Sequence, residues 1–439
     1  MYKVYFITFG CKVNHYETEC MKELFKKNGW EVVSVPELSD CVVINSCTVT
    51  SSGDSRALNA LRKIRTQFPD AVIAMTGCYP QADPENAAKL QDADIICGTK
   101  ERGRIVEFVS GFIEERSRIV NIPAHERGEK FEPLICTQYD DNTRAFMKIQ
   151  DGCDRFCSYC MIPYARGRCR SKAPDDIRSE LAAVAANGVQ EVVLSGINLA
   201  FYGAEWGMTL ADAVEICAGI EGIKRIRLGS LEPEMLTDEQ LARLAAVPQM
   251  CPQFHLSLQS GCDRTLKAMN RHYTSAEYLE LTERIRSFFP ECAFTTDIMV
   301  GFPQETDEDF RESADFIEKV GFAKVHVFRY SRRKGTAADR MSGQIPESVK
   351  SERWKLMTAK ADKTRDIYLK KLVGRTVSVL FERENSSEFH QGHAPDGTLI
   401  KISRKNSEKS LRNRIISVII EVAGHECCYG RPTADICYD

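Results

Sequence analysis

The chain has 439 residues, 43% of them hydrophobic and 28% charged, with a formal net charge of −3. That length and composition suit a folded protein of about two to four domains. No run of roughly 18 apolar residues is present to span a membrane, and the balanced charge leaves any role on nucleic acid to local patches. Eighteen cysteines are the anomaly. The opening residues 1–7 are too short an apolar run for a secretory leader, so the expectation is a cytoplasmic protein with reduced thiols rather than a disulfide framework.

In chain order, the first hundred residues repeat one pattern. An apolar strand over 4–9 runs into Gly10-Cys11, and a helical stretch from about 16 to 27 stops at Gly29. A second strand, 41–45, leads into Ser46-Cys47 and a helix over 55–67; a third, 71–76, leads into Gly77-Cys78. Strands alternating with helices predict a parallel α/β sheet, whose strand ends share one ligand-binding edge. Cys11, Cys47 and Cys78 can therefore converge there despite their distance in sequence. A fourth strand, 94–96, makes Cys97 a rival, but it lies within an apolar run and reads as core.

Residues 114–143 are charged, contain Pro123 and Pro133, and read as a linker between a first domain, 1–113, and a second, 144–371. Strands near 145–150, 191–196, 225–229, 254–259, 293–299 and 324–330 then alternate with helices, predicting a partial (β/α)6 barrel. A basic helix covers 346–372. Beyond it, strands at 376–382, 398–402 and 415–423 predict a small antiparallel β-barrel, 372–437.

The strongest motif is Cys153-Asp154-Arg155-Phe156-Cys157-Ser158-Tyr159-Cys160, directly after the first barrel strand. At this cysteine content a CxxxCxxC triplet arises by chance in roughly 3% of chains, and its placement sharpens it further. Zinc sites commonly offer four closed ligands in two CxxC pairs. Three thiolates on a 4Fe–4S cluster instead leave one iron open, which is where the amino and carboxylate groups of S-adenosylmethionine can chelate.

The triplet in its barrel context resembles the radical S-adenosylmethionine superfamily. Thr8 to Glu19 (TFGCKVNHYETE), Asn45 to Thr50 (NSCTVT) and Thr76 to Gln81 (TGCYPQ) are similar to the three cysteine signatures of its methylthiotransferase family. The resemblance implies an auxiliary 4Fe–4S cluster on Cys11, Cys47 and Cys78, and a radical-generating one on Cys153, Cys157 and Cys160. It implies S-adenosylmethionine as both methyl donor and radical source, and a C-terminal barrel like the RNA-binding TRAM domain. GCKVN at 10–14, with Ile162 to Arg168, resembles the branch that acts on N6-threonylcarbamoyladenosine at tRNA position 37. GCQMN would point to isopentenyladenosine, and GCPKN to a ribosomal protein. Partners implied are the tRNA anticodon stem-loop, a reductant such as flavodoxin or ferredoxin, and a sulfur donor. A non-catalytic iron–sulfur redox sensor is the reading from a different class.

By the same resemblance the strand ends line the cofactor pocket: Gly196 allows close approach of the methionine moiety, Asn198, Glu232 and Gln259 offer hydrogen bonds, and Tyr159 lies against the adenine. Three other groups look chemical and read as ordinary. His390 and His393 lack cysteine partners and are expected on a polar loop; His425-Glu426-Cys427-Cys428 lacks a zincin's second histidine; Cys20 and Cys217 fall on apolar helix faces. For RNA, six basic residues face one acid between Lys401 and Arg414, eight face four along 346–372, and Arg329, Arg332, Arg333 and Lys334 cluster after the last barrel strand.

Overall fold

The computed structural model describes residues 1–139, 143–383, 386–404 and 409–433. Its first unit contains β1 (Lys3–Thr8), α1 (Lys12–Lys27), β2 (Glu31–Val32), β3 (Cys41–Ser46), α2 (Ser51–Gln67), β4 (Val72–Gly77), the short helices α3 (Cys78–Ala82) and α4 (Pro84–Ala87), β5 (Ile95–Cys97), α5 (Ile105–Glu115) and β6 (Ile119–Asn121). The six strands form one parallel sheet in the order β2-β1-β3-β4-β5-β6. Every residue of β3 and β4 is buried, as unbroken apolar strands covered on both faces must be. Val4, Met21, Phe25 and Ile105 fill one face; Val42, Ile44, Leu61 and Ile73 fill the other.

The chain leaves β1 in one direction for β2 and in the other for β3. The crevice between β1 and β3 is thus the topological switch point, where ligands of open α/β sheets bind. Both helices that follow start earlier than their apolar period suggests. Cys11 is itself the N-cap of α1, with extended backbone, and Thr50 caps α2 by accepting from Gly53 N. The segment 114–143 is more than a connection, because β6 closes the sheet edge against β5, and Leu134, Cys136 and Tyr139 pack into the core of the next unit.

That unit opens with β7 (Arg144–Lys148), β8 (Gln150–Asp151), α6 (Ile162–Arg166) and β9 (Arg170–Ser171), followed by α7 (Pro174–Ala186), β10 (Glu191–Ser195), α8 (Leu210–Ala218), β11 (Arg225–Leu228) and β12 (Ser230–Leu231). It continues through α9 (Asp238–Ala245), β13 (Gln253–Leu256), α10 (Asp263–Ala268), α11 (Ser275–Phe288), β14 (Ala293–Val300), α12 (Asp307–Val320), β15 (Lys324–Arg329) and α13 (Glu347–Lys370). The expected third strand breaks at Gly229, giving parallel sheets β11-β10-β7 and β12-β13-β14-β15 joined by a single bridge, Ile226 to Met250. Ala145, Met147 and Ile149 pack outward under the helices. By strand alternation Arg144, Phe146 and Lys148 face the lumen.

The C-terminal unit is a closed barrel, β16 (Thr376–Phe381), β17 (Phe389–His393), β18 (Leu399–Ser403), β19 (Ile415–Ala423) and β20 (Cys428–Pro432), ordered β16-β17-β18-β20-β19. His390 and His393 lie on strand β17, not on a polar loop. His390 is buried opposite Ile402, while His393 Nδ1 pairs with Glu382 Oε1 at 2.9 Å. A strand written Phe-His-Gln-Gly-His has little apolar alternation, so it escapes a periodicity reading. Residues 405–408 of the basic run, and 434–437 of the expected barrel, lie outside the described residues.

Candidate functional site

The triplet loop leaves β8 and is folded back by residues far away in sequence. Ser158 N donates to Met269 O at 3.0 Å and Ser158 Oγ to Ala268 O at 2.9 Å, while Ala338 N donates to Ser158 O at 2.7 Å. Each of the three half-buried thiols meets an N–H donor. Arg155 N reaches Cys153 Sγ at 3.5 Å, Arg271 Nη1 reaches Cys157 Sγ at 3.4 Å, and Ile162 N reaches Cys160 Sγ at 3.4 Å. Donors converging on sulfur suit cluster thiolates, whose charge they spread. In the bare protein, burial pushes the Cys153 thiol up to about 11 and Cys160 up to about 12, so loading must displace protons.

Gly152 turns the chain into this loop at φ +72, where a Cβ would lie 1.9 Å from the Arg168 carbonyl oxygen. Neither the left-handed backbone nor the rigid carbonyl tolerates a side chain there. Gly152→Ala is therefore expected to lose the radical cluster while keeping the other. Iron would fall from about eight to about four per chain, measurable by colorimetric iron assay after anaerobic reconstitution.

Cys11, Cys47 and Cys78 stand at the ends of the adjacent strands β1, β3 and β4. Ser46 and Gly77 are register partners one residue before Cys47 and Cys78. A Cβ on Gly10 would sit 3.0 Å from Cys47 Sγ, which brings the Cys11 turn against Cys47. Cys11 is exposed; Cys47 and Cys78 are buried, and burial raises both thiols, Cys78 to about 12. Cys11 caps α1 and Cys78 opens α3, so backbone N–H groups favour negative charge at this edge. Among the described residues, no three His, Cys, Asp or Glu side chains are gathered as for a single metal ion. A 4Fe–4S cube spreads its thiolates more widely, and the all-cysteine donor sets with their N–H donors fit it. Cys97 is core, as its apolar strand implies.

A buried ionic network joins the two edges. Glu17 of α1 accepts from Arg102 Nη1 at 2.6 Å, Arg166 Nη1 at 2.7 Å and Lys148 Nζ at 2.9 Å, with all four side chains at most 1% exposed. Arg166 also donates to Asp151 Oδ1 at 3.1 Å and, through Nη2, to Asn14 Oδ1 at 2.9 Å. Asn14 in turn donates to Phe9 O and Ser46 O, the backbone that carries Cys11 and Cys47. Burial pushes the Glu17 carboxyl up, but Arg102, Arg166 and Lys148 outweigh it and hold it at about 2; Asp151, buried against Lys148 and Arg166, is likewise held well below the usual range. Arg166, the last residue of α6, thus spans from the triplet loop to the auxiliary edge.

The expected pocket residues are distributed around the triplet. Asn198 Nδ2 approaches Cys153 Sγ at 3.8 Å, and its buried Oδ1 has no partner among the described residues, leaving one acceptor for a ligand. Glu232 is held in a two-pronged pair with Arg271, at 3.0 and 2.5 Å, the same guanidinium that touches Cys157. Burial raises its carboxyl against the pull of Arg271. Gln259 adopts φ +68 and bridges to Ile298, presenting its side chain from an unusual backbone. What a Cβ on Gly196 would meet is Gln150, whose side chain stitches β8 to the Gly196 turn. Tyr159 packs beside Met269, Phe302 and Tyr330. Arg271 was invisible to the sequence reading: it lies in a loop after a short helix, with no spacing to mark it.

Two of the three expected basic patches, 329–334 and α13, are largely neutralised. Arg333 clamps the two units together, donating to Thr48 Oγ1 at 2.5 Å and pairing with Asp54 at 2.6 Å; Arg332 pairs with Asp339, and Arg329 lies 3.8 Å from Glu347. Along α13, Arg353 pairs with Glu305 and Asp307, Lys360 with Asp315 and Lys363 with Glu318. No helix among the described residues is long and apolar enough to cross a membrane.

A three-thiol loop at the C-terminal end of a partial barrel defines the radical S-adenosylmethionine class, and residues 147–317 match the family described as Radical SAM superfamily. Residues 3–98 match a family described as Uncharacterized protein family UPF0004. The chain is 35% identical over 431 residues to the threonylcarbamoyladenosine tRNA methylthiotransferase MtaB of Bacillus subtilis, covering 97% of this chain and 95% of that one. To the MtaB of Thermotoga maritima it is 37% identical, with 85% of each covered. To the tRNA-2-methylthio-N(6)-dimethylallyladenosine synthase of Caldicellulosiruptor saccharolyticus it is 36% identical, covering 86% of this chain and 81% of that one. This chain belongs to the family of radical tRNA methylthiotransferases. Among solved structures, the radical S-adenosylmethionine methyltransferase TsrM of Kitasatospora setae superposes with a TM-score of 0.58 at 15% identity, over 77% of each chain, a likeness of fold.

Proposed function

We propose that this chain converts N6-threonylcarbamoyladenosine at position 37 of tRNA to its 2-methylthio derivative. The observation that carries the reading is the pairing of two three-cysteine edges across the Glu17–Arg166–Asp151 network, in a chain of this family. Cys153, Cys157 and Cys160 would hold the 4Fe–4S cluster with the open iron, and Cys11, Cys47 and Cys78 the auxiliary one. When bound, the clusters and S-adenosylmethionine supply one-electron cleavage of the sulfonium and the sulfur to be transferred. A C–H bond on a heteroaromatic ring offers no handle to acid–base catalysis, which is why such chemistry is needed.

The protein's own part is positioning and exclusion of water. Asn198 offers its unpartnered Oδ1 beside Cys153, and Arg271 holds Glu232 at the pocket wall while touching Cys157. The substrate base must leave its stack to reach the lumen, as in single-stranded RNA recognition; the C-terminal barrel would hold the anticodon stem-loop. The reading also calls for a one-electron reductant of the flavodoxin or ferredoxin type, a sulfur donor and a cytoplasmic setting. Mass spectrometry of tRNA nucleosides from a strain lacking the gene tests it. The 2-methylthio nucleoside should disappear and return on complementation. Its persistence in a strain without a second such enzyme would remove the tRNA assignment and turn attention to ribosomal protein.

A further inference from the structure

Lys12 follows Cys11 directly, on the first turn of α1. Its ammonium lies 5.9 Å from the centre of the Phe146 ring, which faces the barrel lumen from β7. The residue is solvent-accessible, while its ammonium feels the charges of Arg144, Arg227 and Glu191 from β7, β11 and β10. Among the described residues it has no acceptor within hydrogen-bond or ion-pair reach.

The cations around it are already satisfied. Arg144 pairs with Glu382 at 2.7 Å; Arg227 pairs with Glu191 at 2.8 Å and donates to the carbonyls of Ala394 and Pro395. Glu191, the acid on that wall, is fully buried and is also approached by Arg225 at 3.5 Å. On the facing wall, Asp297 lies 3.4 Å from His255, whose ring is 6.1 Å from that of His326. Lys324 and the 47% exposed Phe328 alternate with His326 on the same accessible face of β15. Lys12 is therefore an accessible ammonium over an open lumen, without an anion of its own, one residue from the auxiliary edge.

The substrate of the proposed reaction supplies such an anion. A threonylcarbamoyl group ends in a carboxylate, whereas the dimethylallyl group named for the Caldicellulosiruptor relative's product is uncharged. On adenine, C2 and C6, the carbon that carries the N6 substituent, flank the same ring nitrogen. A base that presents C2 to the auxiliary edge holds its N6 substituent within a lysine's length of residue 12. Resting on the function proposed above, we infer that Lys12 binds the threonylcarbamoyl carboxylate and so selects this nucleoside over one with an uncharged N6 group. An ammonium–carboxylate hydrogen bond is charge-assisted and strong enough to set preference.

The test compares two anticodon stem-loop RNAs of one sequence, with threonylcarbamoyladenosine or plain adenosine at the target position. Both are bound anaerobically to reconstituted wild type, Lys12→Gln and Lys12→Arg, each matched for iron content. Wild type should favour the modified RNA by roughly 10- to 100-fold, Lys12→Gln should lose that ratio, and Lys12→Arg should keep most of it, while plain RNA binds all three alike. Retention of the full ratio by Lys12→Gln overturns the inference alone. Equal weakening toward both RNAs also overturns it, because that marks a phosphate contact. No preference in wild type itself would instead remove the substrate reading beneath it.

Discussion

Cys157→Ala is expected to abolish turnover completely. The variant should hold about four irons per chain instead of about eight, release no 5′-deoxyadenosine after anaerobic reduction, and fail to restore the methylthio nucleoside in a deletion strain. The physical reason is the loop's economy: on the proposed reading three thiols would serve one cluster, and of the three Cys157 meets the Arg271 guanidinium that also holds Glu232. Its loss strips a ligand and leaves that arginine without its sulfur acceptor. Iron quantification with product chromatography checks both consequences. Normal iron content together with normal 5′-deoxyadenosine release would show that the triplet is not the radical site, and would revive the redox-sensor reading.

The second large effect is on stability. Glu17→Gln keeps the shape of the side chain but removes the charge that Arg102, Arg166 and Lys148 share at 2.6, 2.7 and 2.9 Å. Removing one partner of a fully buried ionic group leaves uncompensated charge and costs about 3–5 kcal/mol. The measurement is urea unfolding of the reconstituted protein, with limited proteolysis at the junction of the first two units. An unchanged midpoint would mean that docking does not depend on this network.

The same network sets an acid limit. Glu17 is held at about 2 and Asp151 is held well below its ordinary value, both below their unfolded values near ~4. Their contribution is fully present above the unfolded pKa and is lost as pH falls toward 2. Wild type should lose stability steeply from about pH 5 downward, and Glu17→Gln more gradually. Parallel acid-unfolding curves would contradict this.

Much of the architecture was legible because it is local. The repeated strand-then-cysteine pattern placed Cys11, Cys47 and Cys78 on one sheet edge, and the compact triplet announced its loop by spacing alone. Helix starts were read late at α1 and α2, because capping by Cys11 and Thr50 precedes the apolar period. Strand β17 was missed because a small closed barrel can bury His390 without apolar alternation. The pairing of the basic clusters was hidden for a related reason. A sequence lists charges, but Arg333 meets Asp54, which lies 279 positions away (333 − 54), only after the two units dock.

The sequence by itself determined that six cysteines stand just past strand ends, the order of the three units and the class of chemistry such a pattern can host, since each follows from short-range spacing and strand–helix periodicity. Only the tertiary structure decided that Arg166 reaches Glu17 across 149 residues, that Arg271 reaches Cys157 across 114, and that Lys12 stands over the lumen. Those contacts depend on how finished units pack, and packing is set by the summed burial of many side chains rather than by any local pattern.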